Sequence, residues 1–133
     1  MSLKELTATW SPRLLSVLRF MSALLFMQHG TAKFLNIPPL EAFAKLQPYG
    51  LSWFAGLFEL IGGALLLIGL FTRPVAFVLS GVMAFAYFIA HAPRAFFPIA
   101  NAGELAVLYC FVFLYLAAAG GSAWSVDALR KGS

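Results

Sequence analysis

The stretch that decides the fold extends from Leu51 to Phe71 and reads LSWFAGLFELIGGALLLIGLF. A helix needs roughly 20 mainly apolar residues to cross a hydrocarbon layer about 30 Å thick, at a rise of about 1.5 Å per residue. This stretch meets that requirement, with Glu59 as its one charged residue. Similar apolar runs extend from about Pro12 to Gln28, from Val75 to Ala92 and from Gly103 to Ala119. The pattern therefore predicts four membrane-spanning helices.

The composition of the whole chain agrees with this prediction. Of its 133 residues, 62% are hydrophobic and 11% are charged, whereas a soluble domain is about half apolar and about a quarter charged. A soluble domain of this size has too little interior to bury so many apolar side chains. The composition excludes a soluble globular domain, a disordered chain and a disulfide scaffold. It predicts one all-α domain over residues 1–133, an integral membrane four-helix bundle.

Proline and polar residues mark the connectors between the predicted helices. The dipeptide Ser11-Pro12 predicts the start of the first helix, because serine caps helices and proline fits the first turn. The longest connector extends from His29 to Gly50. Within it, Leu40 and Phe43 fall near one helical face, which predicts a short helix lying in the membrane interface of the first outer loop.

Lysine and arginine residues outside the helices predict the orientation, because cytoplasmic loops are enriched in them. With the N-terminus inside, the cytoplasmic side holds more of them than the outer side does. The inner residues are Lys4, Arg13, Arg73, Arg130 and Lys131, and the outer ones are Lys33, Lys45 and Arg94. We therefore expect both termini in the cytoplasm. The net charge of +4 comes from scattered residues rather than a basic stripe, so nucleic acid is not an expected partner.

Ionisable residues within the predicted helices are the first candidates for function, because each costs at least about 2.5 kcal/mol at the centre of a bilayer. Arg19 and Glu59 lie at similar depth on two helices, so we expect them to form a structural ion pair. The candidates for ligand binding or proton exchange fall in the outer half of the bundle or at its rim. They are Glu59, His91, Glu104, Lys33, Asn101 and His29. This one-sided distribution predicts a cup that opens to the outer side.

A structural role is also open for these residues. Glu104 begins the fourth helix, where the helix dipole favours a carboxylate. Lys33 and the two histidines lie at helix ends, where amphipathic side chains settle without any chemical task. The single cysteine, Cys110, lies in an apolar run and is expected to be an inert thiol; one cysteine excludes an internal disulfide and a CxxC centre. The spacing of histidine and cysteine matches no zinc site, so no metal is expected.

Four blocks of the sequence form a recognisable family pattern. The first consists of Arg19, Ala23, Phe26, Gly30 and Lys33, and the second of Glu59 to Gly63 and Gly69 to Pro74. The third is Met83 to Ala92, and the fourth is Asn101 to Glu104 with Tyr109, Gly120, Gly121, Ser125 and Asp127. Together these blocks resemble the DoxX family of small bacterial membrane proteins. Two positions depart from the family, which usually has glycine where this chain has Ala23 and ends in Gly-Pro-Gly where it has Gly120-Gly121-Ser122.

The resemblance covers the chain from Arg13 to Asp127 and implies a four-helix bundle in the bacterial inner membrane. It also implies an association with membrane oxidoreductase complexes and oxidative stress, as for some members. The family's name derives from a relation to the membrane subunit of a thiosulfate:quinone oxidoreductase. We do not expect the thiosulfate chemistry here, because the chain has no cysteine pair.

Two functions of different classes are compatible with these residues. In the first, the protein is a membrane subunit that binds a quinone or another small ligand without a covalent bond, while a redox partner protein supplies the electrons. His91, Glu59 and Glu104 would then exchange protons, and the chain would be at most a non-catalytic or quinone-interacting subunit of an oxidoreductase. In the second, it is a small proton-coupled transporter or a structural or assembly protein. Assembly into a homo-oligomer is compatible with either function.

Overall fold

A computed structural model describes residues 1–131, and every regular element in this range is helical. The helices are α1 (Leu3–Phe34), α2 (Leu51–Ile68), α3 (Thr72–Arg94), α4 (Pro98–Asn101), α5 (Glu104–Ala119) and α6 (Val126–Arg130). Helices α2 and α3 are each long and apolar enough to cross a membrane, with a mean hydropathy of 1.9. Helix α5 is apolar but has 16 residues. The "inner end" below is the end where α2 finishes and α3 begins, and the "outer end" is the opposite one.

Helix α1 is longer than the sequence analysis predicts and begins at a different cap. The Ser2 hydroxyl accepts the Glu5 N–H at 3.2 Å, and the Glu5 carboxylate accepts the Ser2 N–H at 2.8 Å. This reciprocal capping box satisfies two backbone donors and starts the helix at Leu3. The prediction that Ser11-Pro12 begins the helix is therefore wrong. Pro12 lies inside the helix at an exposed position, where water can replace the backbone hydrogen bond that it removes.

The other predicted boundaries agree with the structure more closely. Helices α2, α3 and α5 begin and end within three residues of the predicted positions. Helix α2 stops because Gly69 takes a left-handed conformation with φ of 71°, and the Leu70 N–H bonds back to the Leu65 carbonyl at 2.9 Å. In the first outer loop, the predicted interfacial helix is reduced to one 3-10 turn at Glu41–Phe43.

The four long helices share one apolar core. Its buried members are Ala23, Phe26, Leu66, Ala76, Leu79, Met83, Ala106, Tyr109, Phe113 and Leu116. Helix α3 packs along α5, and the Ser80 hydroxyl joins them by donating to the Cys110 carbonyl at 2.7 Å. The outward faces of the same helices are also apolar and carry exposed phenylalanines such as Phe77 and Phe85. A chain that is apolar both inside and outside is typical of a membrane bundle.

Glycine residues allow α1 and α2 to touch along their backbones. A Cβ on Gly30 would lie 2.7 Å from the Leu60 backbone nitrogen, and one on Gly63 would lie 2.9 Å from Cβ of Met27. Small residues at a helix interface permit this close approach, which increases van der Waals contact between helices. The contact holds the middle of α2 directly against the outer half of α1.

We predict that Gly30→Ala destabilises the protein by about 1–3 kcal/mol, because the added methyl group meets backbone atoms that cannot move aside. Gly81→Ala is the matched control, since a Cβ at Gly81 meets no atom within 4 Å. The control should be neutral or stabilising by up to about 1 kcal/mol, from helix propensity. Thermal unfolding in a mild detergent measures both changes. Equal stability of the two variants would refute the close α1–α2 contact.

Candidate functional site

A buried ion pair joins α1 to α2. The Lys33 ammonium lies 2.7 Å from Oε1 of Glu59, and these side chains are only 6% and 7% exposed. The close contact at Gly30 and Gly56 creates this arrangement, because Lys33 follows Gly30 by three residues on α1 and Glu59 follows Gly56 by three on α2. Residues three apart on a helix share a face. The stem of Lys33 packs onto Gly56, where a Cβ would lie 3.0 Å from its Cδ.

The Tyr109 hydroxyl is a second buried polar group in the outer half of the bundle. It is inaccessible to solvent, and it has no hydrogen-bond partner among the described residues. The Tyr109 ring packs edge-on against Phe26 at 5.4 Å and stacks on Phe113 at 5.5 Å, so it is fixed within the core. An unsatisfied buried hydroxyl costs about 1–3 kcal/mol and therefore calls for an explanation.

Two of the candidate residues lie on π-helical segments. Glu59 belongs to the segment Phe58–Gly62 within α2, and His91 ends the segment Tyr87–His91 within α3. A π-helical turn contains an extra residue and is less regular than an α-helical turn, and such turns are often found at functional sites. Both π-helical segments therefore contain an ionisable residue that the sequence analysis names as a candidate, Glu59 in α2 and His91 in α3.

The first outer loop lies against the ion pair. The Phe43 ring, in the 3-10 turn, has its centre 5.3 Å from the Lys33 ammonium, which is a favourable cation–π distance. The end of α1 is also held by aromatic packing, because Phe34 meets Trp53 edge-on at 5.6 Å. Together, the loop and these aromatic rings separate Lys33 from the outer solvent. His29, one turn before Lys33 on α1, is half-buried.

The predicted ion pair between Arg19 and Glu59 is wrong. The Arg19 guanidinium donates to three backbone carbonyls, those of Leu66 at 2.9 Å, Trp124 at 2.8 Å and Gly121. Two of these carbonyls, those of Gly121 and Trp124, lie in the connector between α5 and α6, and the third belongs to the last turn of α2. Carbonyl oxygens are hydrogen-bond acceptors with two lone pairs each, so three of them together can satisfy a buried guanidinium without a carboxylate. Because α1 continues to Phe34, Lys33 is a helix residue facing α2, and it reaches Glu59 instead.

Two other outer candidates, His91 and Asn101, belong to a separate hydrogen-bonded group at the α3–α5 connection. Asn101 is fully buried, and its side chain bonds to the Tyr87 hydroxyl at 3.1 Å, the Ala95 carbonyl at 3.1 Å and the Gly103 N–H at 2.8 Å. His91 contacts the Asn101 carbonyl through Nδ1 at 3.0 Å. These bonds make Asn101 the centre of the α3–α5 connection. Sequence reasoning took it for a rim residue, and an asparagine followed by Ala-Gly is the turn signal that could have indicated this role.

The structure does not bring Glu59, His91 and Glu104 together. Glu59 bonds to Lys33, His91 bonds to the Asn101 turn, and Glu104 is exposed at the start of α5. Two cavities are described: one of about 400 Å³ at the inner end, and an apolar groove of about 480 Å³ between α2 and α3. Neither is lined by any of the three residues. The buried polar side chains that remain in the outer half are the Lys33–Glu59 ion pair and the hydroxyl of Tyr109.

Comparison with known proteins identifies the family. The DoxX family model matches residues 14–92, which is more than half of the chain. The chain belongs to the DoxX family. An uncharacterized protein of Haemophilus influenzae is 44% identical over 123 residues, which are 89% of this chain and 91% of that protein. No solved structure matches.

The part of the chain that the DoxX model matches contains both members of the Lys33–Glu59 ion pair. The hydrogen bonds around Asn101 lie partly outside the matched part. The match includes Arg19, Lys33, Glu59 and His91 but ends before Asn101 and Tyr109. Lys33 and Glu59 therefore lie within the matched part, and Tyr109 lies on α5, beyond it.

At the inner end of this DoxX chain, Asp127 caps α3 from a distant part of the sequence. Its carboxylate accepts the N–H groups of Phe71 at 2.8 Å and Thr72 at 2.9 Å. Its own N–H donates to the Gly69 carbonyl at 2.9 Å, and Arg73 donates to the Ala118 carbonyl at 2.9 Å. The α2–α3 turn and the C-terminal segment are therefore joined in one network. No local sequence signal indicates this role, because the cap and the helix are more than fifty residues apart.

We predict that replacing one member of the Lys33–Glu59 ion pair strongly lowers the stability of the protein, whereas replacing both members lowers it little. Lys33→Met or Glu59→Met alone should destabilise the protein by about 3–5 kcal/mol, since each leaves an uncompensated buried charge. The double variant should recover most of this loss, and thermal unfolding in detergent measures the cycle. Arg19→Met combined with Glu59→Met is the control, and its two effects should simply add. Additive effects for Lys33 and Glu59 would contradict the pair.

We also predict that Asp127 makes stability dependent on acid pH. Partial burial raises the pKa of Asp127, but the Thr72 and Phe71 N–H groups and Arg130 outweigh this effect and hold it below its usual value. A carboxylate with a lowered folded-state pKa stabilises the fold above its unfolded value of about 3.9, and this contribution is lost as pH falls through the folded value. In Asp127→Asn the free energy of unfolding should therefore depend less on pH below about pH 4 than it does in the wild type. An unchanged acid profile would show that the cap is not ionised.

Proposed function

We propose that this DoxX chain is a four-helix protein of the bacterial inner membrane, with α1, α2, α3 and α5 all crossing the bilayer. The support is the apolar outer surface of these helices. Large apolar side chains are exposed on each of them, including Leu25 on α1, Ile61 on α2, Phe85 on α3 and Phe111 on α5. Exposed apolar surface on every helix is unfavourable in water and is favourable in lipid.

We place both termini in the cytoplasm, on the basis of the excess of lysine and arginine at the inner end. In this orientation the Arg19 and Asp127 networks face the cytoplasm, and the Lys33–Glu59 pair faces the periplasmic side. The two polar regions are separated by apolar core residues such as Phe26 and Phe113, which are fully buried. This separation favours a site that opens on one side over a transport path through the protein.

Within the membrane, we propose that the chain serves as a subunit of a redox system and holds a quinone-like ligand at Lys33, Glu59 and Tyr109. One observation carries this proposal: the outer half of the bundle buries both an ion pair and a hydroxyl that has no hydrogen-bond partner among the described residues. Replacing a buried ion pair with apolar residues is often neutral or stabilising. A buried ion pair and a donor left unsatisfied by residues 1–131, both within a bilayer, are best explained by a task other than stability.

The chemistry of the three side chains fits a quinone head group. Tyr109 and Lys33 can donate hydrogen bonds to carbonyl oxygens, and Glu59 can accept or release a proton. The Phe26 and Phe113 rings pack against Tyr109 and hold its hydroxyl in a fixed position. A bound quinone supplies reversible uptake of electrons and protons, and a partner protein must deliver the electrons. The chain itself positions the ligand and exchanges protons with it.

The test is binding of a short-chain benzoquinone to the purified protein in mild detergent, measured by equilibrium dialysis. Tyr109→Phe removes only the unpaired hydroxyl, so the protein should fold at least as stably as the wild type. We expect this variant to bind about tenfold more weakly, which corresponds to about 1.4 kcal/mol for one lost hydrogen bond. Tyr115→Phe is the matched control, because Tyr115 lies on the same helix with its side chain exposed, and it should bind as the wild type does.

Two outcomes would reject the redox proposal. If the folded wild type binds no quinone, or if Tyr109→Phe binds as tightly as the wild type, the ion pair has a structural role. The structural or assembly function would then be favoured, and the protein's effect would depend on its partners rather than on a ligand.

A further inference from the structure

The cavity at the inner end has a wall that carries excess positive charge. It measures about 400 Å³ and lies between the α2–α3 turn and the segment that follows α5. Arg73 and Lys131 line it, and Asp127 is the one carboxylate among the described residues that do so. That carboxylate already accepts two backbone N–H groups at the start of α3. Arg130 adds charge at the edge of the cavity, because its guanidinium lies 4.8 Å from the ring centre of Phe71, another lining residue. The cavity therefore favours an anion.

Hydrogen-bond donors in this wall remain for an anion to use. The Arg73 guanidinium donates from Nη1 to the Ala118 carbonyl at 2.9 Å, and its Nε and Nη2 make no hydrogen bond within residues 1–131. These two atoms lie beside Gly120, where a Cβ would be 3.1 and 3.2 Å from them. The absence of a side chain at Gly120 therefore leaves room next to a guanidinium edge with two donors. Thr72, also in the wall, is fully buried, and its hydroxyl has no hydrogen-bond partner among the described residues.

The apolar groove between α2 and α3 adjoins this cavity. Pro74 lines both of them, and every described residue that lines the groove is apolar. On α2 the groove extends from Leu65, near the inner end, to Phe54. This distance is about 16 Å at 1.5 Å per residue. One leaflet contributes about half of the 30 Å hydrocarbon layer, or about 15 Å. The groove therefore has the length of an acyl chain that starts at the inner edge of the bilayer and ends near its centre.

We propose that the inner-end cavity and the adjoining groove bind one anionic phospholipid, with its phosphate at Arg73 and Lys131 and one acyl chain along α2 and α3. A guanidinium recognises phosphate through two parallel hydrogen bonds. Basic pockets between spanning helices on the cytoplasmic side are typical sites for anionic lipid head groups. The cavity alone would suit a free phosphate, but the groove that continues from it at Pro74 suits a molecule with a charged head and an apolar chain. This inference uses the membrane placement proposed above and does not depend on quinone binding.

An anionic lipid fits this cavity better than a zwitterionic one. A zwitterionic head group carries an ammonium group beside its phosphate, and this ammonium would be repelled by Arg73 and Lys131. Its natural partner, the Asp127 carboxylate, is already bonded to the start of α3. The expected head group is therefore a phosphate diester without a cation, such as that of phosphatidylglycerol.

Native mass spectrometry of the purified protein in mild detergent tests the head-group site. It compares phosphatidylglycerol with phosphatidylethanolamine that has the same acyl chains, and we expect the wild type to bind phosphatidylglycerol several-fold more tightly. Arg73→Gln should weaken this binding about fivefold, which is the effect of one basic side chain on an anionic lipid. Lys131→Gln should act in the same direction, and it should fold because Lys131 is exposed. Arg94→Gln is the matched control, because Arg94 is exposed at the opposite end of α3, and it should bind as the wild type does.

A second pair of variants tests the groove. Val78→Trp places a large side chain in the groove and leaves Arg73 and Lys131 unchanged, so it should weaken phosphatidylglycerol binding several-fold. Leu114→Trp is the control, because Leu114 lies on α5 and is not among the residues that line the groove. Val78 and Leu114 are 48% and 45% exposed, so both variants should fold.

Three outcomes would overturn the lipid site. The first is equal binding of the two lipids by the wild type, and the second is equal binding of phosphatidylglycerol by Arg73→Gln and Arg94→Gln. The third is displacement of phosphatidylglycerol by an equal concentration of inorganic phosphate, which would show that the groove contributes nothing and would assign the cavity to free phosphate. Carbonate extraction of cell membranes checks the membrane placement separately. A protein that stays in the membrane fraction but does not distinguish the two lipids refutes the lipid site alone.

Discussion

The contact between α1 and α2 at Gly30, Gly56 and Gly63 is the constraint on which the rest of the structure depends. It brings two helices close enough for backbone atoms of one to touch the other. A lysine and a glutamate, each too costly to bury alone, then meet at 2.7 Å. The glycines and the ion pair support each other. Close packing of α1 on α2 leaves Lys33 and Glu59 no other hydrogen-bond partner within residues 1–131, and sliding of one helix along the other would separate the two charges.

The two ends of the bundle satisfy their polar groups by different means. At the inner end, Arg19 and Asp127 bond to the backbone, and they tie α1, the α2–α3 turn and the C-terminal segment together. At the inner end the partners of Arg19 and Asp127 are backbone groups, which suits this network to a structural role. At the outer end Lys33 and Glu59 bond to each other, so both members of the pair are side chains that can exchange protons. The outer half also buries the Tyr109 hydroxyl, which is left without a partner among the described residues. Chemistry is therefore better placed at the outer end.

The fold also explains why the candidate residues separate into two groups. The side-chain amide of Asn101 makes three hydrogen bonds that shape the α3–α5 connection, and His91 is bound to that turn. These residues hold the outer ends of α3 and α5 at a fixed distance. Glu59 lies on the opposite side of the core, against α1. A membership in the DoxX family is consistent with both groups, since the matched segment contains His91 as well as Glu59.

Much of this protein could be predicted from the sequence because the relevant signals are local. Apolar length and composition identified the long helices, and the turn residues placed the ends of α2, α3 and α5 within three residues. The early start of α1 also has a local signal, the capping box of Ser2 and Glu5, whereas the sequence analysis assigned the start to Ser11-Pro12. The cost of charge in lipid marked Glu59 as unusual, whereas Lys33 was assigned to the first outer loop because the predicted first helix ended at Gln28.

Only the tertiary structure decided which charges meet. The depth of a residue along a helix says nothing about the rotation of that helix or about how closely its neighbour approaches. The sequence predicts similar depths for Arg19 and Glu59, yet backbone carbonyls at the inner end satisfy Arg19, and the close contact of α1 with α2 brings Lys33 to Glu59. The buried Tyr109 hydroxyl, which has no partner within residues 1–131, and the distant cap from Asp127 likewise depend on segments far apart in sequence. Hydropathy can be read from each segment by itself, whereas the pairing of charged side chains depends on how the helices pack together.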